Sequence, residues 1–101
     1  MNTHKVQVKV EGRTLRVSPD PVVIQSADEL QWSCASPDRF SIEFDGEGPL
    51  ASRRLDHAAA TRPQRPRGSG RFKYTVVLES DPSVRLDPEV IVDQPPGNPN
   101  P

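Results

Sequence analysis

Four side chains in this 101-residue sequence carry the imidazole or sulfur donors that bind transition metals or attack electrophiles: Met1, His4, Cys34 and His57. They fall in different segments of the chain, and no His-x-x-x-His or similar short spacing brings two of them together. A metal site needs several such donors converging on one point, so this set points to none. Cys34, His57 and Asp56 could be imagined as nucleophile, base and orienting group. No elbow-like motif surrounds Cys34, however, and the alternation of "ELQWSC" turns it toward the interior, where a thiol is inert. Glu43, Asp45 and Glu47 are spaced as the solvated face of a strand and its turn rather than as an acid–base pair. "GSG" at 68–70 is a flexible joint rather than a phosphate loop. The sequence therefore offers no catalytic residue and no cofactor site, and a non-enzymatic role is expected.

The strongest surface signal is a run of arginines. Between Leu50 and Lys73 lie Arg53, Arg54, Arg62, Arg65, Arg67, Arg71 and Lys73, opposed only by Asp56. That is seven positive charges against one negative. Because the whole chain is formally −1, the remainder is −7 (−1 minus +6). Such separation attracts an anionic partner or the acidic surface of another copy of the chain. The segment carries no interleaved aromatic side chain for base stacking, which argues against nucleic acid. Pro63 and Pro66 hold part of it extended, as suits a peptide-like recognition arm. Arg53, Arg54, Arg62, Arg65 and Arg67 are the partner-binding candidates. The plain alternative is a solubilising loop.

The elements that must position these residues are short and extended. "KVQVKV" alternates strictly, with Val6, Val8 and Val10 on one face. "TLRV", "VVIQ" and "ELQWSC" follow, the last placing Leu30, Trp32 and Cys34 together. "RFSIEFD" aligns Phe40, Ile42 and Phe44. "RFKYTVVLES" aligns Phe72, Tyr74, Val76 and Leu78, and "EVIVD" closes the series. "SPDP", "SADE" and "DPSVRLDP" break these runs as loops. Residues 46–70 form a long Arg-rich connection, with one helical turn within "PLASRRLDHAAA", anchors at Leu50 and Leu55, and a mobile second half. "QPPGNPNP" is too rich in proline and glycine to pack, so 94–101 is expected to be a disordered tail after a single domain spanning 1–93. Seven short strands with proline and glycine punctuation predict an all-β sandwich or small barrel.

The order of these segments resembles the cupredoxin family, the Greek-key sandwiches that hold blue copper, over residues 5–93. "VSPDPVVIQSADELQWSC" is similar to the family's strand–loop–strand leading to an apolar-x-Trp strand. "FSIEFDGEGP" is similar to its His-x-Val-x-Phe strand and following turn. "GRFKYTVVLESDPSVRLDPEVIVD" resembles its last hairpin, where an aromatic-x-aromatic-x-Cys strand enters the ligand loop. The resemblance implies that Phe40 stands where the family has its first imidazole and Val76 where it has its thiolate. "LESDPSVRLDP" contains no histidine, cysteine or methionine to supply the others. What it implies is a scaffold without its type 1 copper site, closed by a dry apolar end.

No segment is long and apolar enough to span a bilayer, and the first seventeen residues lack the apolar run of a secretory signal. A cytoplasmic location away from membranes is expected. The single cysteine excludes an internal disulfide, so packing must supply the stability. The function expected is a non-catalytic, metal-free interaction or assembly module for an acidic or protein partner, self-association included. The competing expectations are a copper-handling or electron-transfer protein with an unconventional site, and a small hydrolase built on Cys34 and His57.

Overall fold

The computed structural model describes residues 2–93, so the tail expected at 94–101 lies outside the described residues. In chain order the elements are β1 (Thr3–Glu11), β2 (Thr14–Ser18), β3 (Val22–Gln25), β4 (Glu29–Cys34), β5 (Phe40–Phe44), β6 (Arg54–Leu55), α1 (His57–Ala60), β7 (Gly70–Leu78), β8 (Arg85–Leu86) and β9 (Glu89–Asp93). All seven expected strands are present. β6 and β8 are additional, and β8 converts part of the expected "DPSVRLDP" loop into an antiparallel partner of β7, with Val84 buried just before it.

Alternation decides how each strand faces. β1 buries Val6 and Val8 while Lys5, Gln7 and Lys9 are exposed. It pairs antiparallel with β2 and parallel with β4, giving a three-stranded sheet in the order β2-β1-β4. The second sheet runs β3-β9-β7-β5-β6, with β8 also on β7; β3 and β9 are parallel and the other pairs antiparallel. The chain passes between sheets after β2, where "SPDP" ends the ladder, returns between β3 and β4, and crosses again between β4 and β5. These cross-sheet connections make an all-β Greek-key sandwich. No described helix is long and apolar enough to cross a membrane.

The core lies where the inner faces of the two sheets meet. Trp32 of β4 reaches across to the second sheet, its ring edge-on to Tyr74 of β7 at 5.4 Å and to Phe44 of β5 at 6.3 Å between centroids. Its indole Nε1 donates to the Tyr74 hydroxyl at 3.1 Å, so the one polar atom of the largest core side chain is satisfied. Burial pushes the Tyr74 phenol well above its ordinary value, the Trp32 hydrogen bond opposes this, and the Asp20 charge adds to the rise.

The connection between β5 and β7 is more ordered than its composition predicts. Leu50 and Leu55 are buried, as expected of anchors. The second half is not loose. Gln64 exchanges both backbone hydrogen bonds with Leu30 on the edge of β4, each at 2.8 Å, and Pro66 is buried. Thr61 accepts from the Gln31 side chain, and the Arg67 amide donates to the Pro49 carbonyl. The segment supplies the outer partner that β4 would otherwise lack, so strand pairing outweighs the chain's local preference for disorder. The helical turn is confined to His57–Ala60 and is capped by Asp56, whose carboxylate accepts from the Ala59 amide at 2.8 Å.

One buried charge has no counterpart in the sequence reading. Asp28, in the "SADE" loop, is 6% exposed. Its carboxylate accepts from His4 Nε2 at 2.8 Å and from the amides of Gln25 and Asn2 at 3.1 Å each. His4 is thus tied into the fold rather than a loose terminal residue. The His4 bond is the leading cause that holds the Asp28 carboxyl below the ordinary carboxylate range; the Gln25 and Asn2 amides help, and burial opposes. A carboxyl depressed in the folded state contributes stability above its unfolded pKa and loses it as pH falls through the folded value. We expect Asp28→Asn to destabilise the protein at pH 7 and to flatten the loss of stability below about pH 4. Urea midpoints measured from pH 7 to pH 2.5 check this, and parallel curves for the two proteins would refute it.

Candidate functional site

Two positions bear most directly on chemistry, Phe40 and Val76. β5 and β7 are antiparallel neighbours with Phe40 opposite Leu78 and Ile42 opposite Val76, so Phe40 and Val76 both project into the core. Phe40 is 1% exposed and Val76 is fully buried. Neither phenyl nor isopropyl offers a lone pair. Among the described residues no three His, Cys, Asp or Glu side chains gather where they could hold a metal ion. The residues present do not fit a type 1 copper centre, which requires two imidazoles and a thiolate.

The four donors singled out in the sequence are not brought together. Met1 lies outside the described residues. His4 is committed to Asp28. Cys34, at the end of β4, is half-buried against the core, with its sulfur 3.2 Å from the Ser36 hydroxyl. His57 is half-buried on α1 rather than a solvated loop residue. Its Nδ1 accepts the Phe40 amide at 3.2 Å, and its ring packs edge-on to the Phe40 ring at 4.8 Å. Asp56 turns its carboxylate to the start of α1. Cys34, His57 and Asp56 each have a separate local partner, and no nucleophile–base–acid chain forms. The "D-H-A-A-A" run carried the capping signal that could have placed His57 on a helix. Nothing in the sequence showed that the helix would dock on β5.

The arginine segment is divided among different surfaces. Arg54 on β6 pairs with Glu43 of β5 at 2.8 Å and lines a depression with Arg85. Arg53 lines a different concavity with Arg67, bounded by Gly46, Glu47, Gly48, Leu50 and Ala51. Its Nε donates to the Phe44 carbonyl at 3.1 Å. Arg62 and Arg65 are exposed on either side of Gln64, beside the β4 edge. Of the five candidates, the structure brings Arg53 and Arg67 to one site. Glu43, read as a solvated strand residue, is the carboxylate that holds Arg54.

No protein-family model matches the sequence, and no curated protein is similar to it. The fold does have likenesses among solved structures. They include a mutant of the cupredoxin amicyanin in its reduced Cu(I) form at pH 4, an oxidised amicyanin mutant and a further reduced one. Each aligns with 87% of this chain and 81% of its own at a TM-score of 0.50 and 12% sequence identity. At that identity the likeness concerns the fold, and it is a cupredoxin-like one.

Proposed function

We propose, starting from that cupredoxin-like scaffold, that the chain is a metal-free, non-catalytic module that binds an acidic protein surface through residues 50–71. The observation that carries this reading is the charge division: seven cations against one acid over residues 50–73 in a chain whose remainder is −7. The five candidate arginines are all exposed, so forming charge-assisted hydrogen bonds with a partner's carboxylates exposes no core. Phe40 and Val76 support the metal-free part, because both are buried apolar side chains at positions where the sequence resemblance implies copper ligands.

Charge reversal at Arg53 and Arg54 tests the reading. Arg53 bonds the Phe44 carbonyl at the end of β5 and Arg54 an exposed carboxylate, so their loss costs little fold stability. We expect the double variant to capture at most about a tenth of the acidic proteins retained by the wild type from native lysate, a change of about 1.4 kcal/mol. Its melting temperature should stay within about 3 °C. Equal capture by the two proteins would overturn the proposal.

A further inference from the structure

The concavity between β5 and β6 is built around a turn that only glycine can make. Gly46 and Gly48 have φ of +67° and +69°. A Cβ on Gly48 would stand 2.6 Å from the Phe44 side chain, so the turn closes directly on the core. Leu50 is drawn in beneath it, and Ala51 remains exposed. The result is an open depression of about 590 Å³ with apolar Leu50 and Ala51 beside Arg53 and Arg67.

Four of the other eight arginines are paired with an acid. Arg13, Arg16, Arg39 and Arg54 each hold a carboxylate, from Asp81, Glu11, Glu79 and Glu43 respectively. Arg53 and Arg67 hold none among the described residues, although Glu47 lines the same concavity. The bond from Arg53 Nε to the Phe44 carbonyl orients that side chain and leaves its terminal nitrogens for another acceptor. On the Arg67 side, the bond from its amide to Pro49 fixes the backbone. Two cations, one of them oriented through its Nε, thus share one depression with Glu47, Leu50 and Ala51.

We propose that this depression is a carboxylate-binding subsite for an extended acidic peptide, in which Arg53 and Arg67 clamp one carboxylate and an adjacent aliphatic side chain rests on Ala51. The inference rests on the acidic-partner reading above and locates where that partner is gripped. The chemistry favours a singly charged carboxylate on an aliphatic stem over a phosphate backbone. No aromatic side chain lines the depression to stack a base, and Glu47 at its wall repels dense negative charge.

Fluorescence anisotropy with a labelled peptide of alternating leucine and glutamate tests the site. Its leucine–glutamine counterpart and a short oligothymidylate serve as unlabelled competitors. We expect Arg53→Ala and Arg67→Ala each to weaken peptide binding about tenfold, and Arg62→Ala, outside the depression, less than twofold. The glutamine peptide should not compete, and the oligothymidylate should compete only at higher concentration than the unlabelled glutamate peptide. Circular dichroism melts establish that each variant is folded. Equal losses in all three variants would mean diffuse attraction and overturn the subsite, while leaving the broader acidic-partner reading intact. Failure of the wild type to bind the peptide, with Arg53/Arg54-dependent capture from lysate retained, would likewise remove the subsite alone. Stronger competition by oligothymidylate would overturn both.

Discussion

Trp32→Ala is expected to lower the unfolding free energy by about 3–5 kcal/mol, the range for removing a large aromatic side chain from a packed core. Trp32 is fully buried, and it is the residue through which β4 of one sheet meets β5 and β7 of the other. Alanine leaves a cavity lined by Phe44 and Tyr74, forfeits two edge-to-face ring contacts, and strips the Tyr74 hydroxyl of its indole donor. The whole stability of a domain this size is about 5–15 kcal/mol, so the variant should be largely unfolded by mild denaturant. Urea unfolding followed by circular dichroism checks this. A loss below about 1 kcal/mol would mean that the two sheets are not held together through this residue.

Phe40→His should cost about 2–4 kcal/mol, because an imidazole would replace a phenyl ring that is almost wholly buried. Its new nitrogens would find no ready acceptor. His57, the adjacent imidazole, already uses Nδ1 to accept the residue-40 amide, which the substitution keeps. Placing an imidazole at this position should therefore weaken the protein rather than prepare a copper site. Urea unfolding reads the stability. A Cu(II) titration should raise no intense visible band, because Val76 offers no thiolate. A variant as stable as the wild type, or one that turns deep blue with copper, would contradict the view that this end of the core has become a sealed apolar contact.

Much of the fold was legible because β alternation is a local property. Val6 and Val8, Leu30 and Trp32, and Tyr74, Val76 and Leu78 each declare the buried face of their strand by period alone, and the structure buries every one. β6 and β8 escaped notice because two residues have no period to detect. The loop before β7 was misjudged for a related reason. Its proline and arginine content describes what residues 61–67 prefer in isolation, whereas their order comes from the β4 edge at Leu30, more than 30 positions earlier.

The functional residues divide in the same way. That imidazole and thiolate donors are few and scattered was legible, since two histidines and one cysteine lie in different segments. So was the charge excess of residues 50–73. Which arginines share a surface was not: Arg53 and Arg54 are adjacent in sequence but line different depressions, while Arg53 meets Arg67 across fourteen positions. His4 and Asp28 are 24 residues apart, and only the parallel pairing of β1 with β4 brings them within hydrogen-bond reach. The sequence by itself determined strand facing, the apolar character of positions 40 and 76, and the sign of the charge on the long connection. Each depends on residue type and nearest neighbours. The tertiary structure alone decided which polar groups became partners, because hydrogen bonds and ion pairs act over a few ångströms, and distances on that scale between remote segments are set only when the two sheets close.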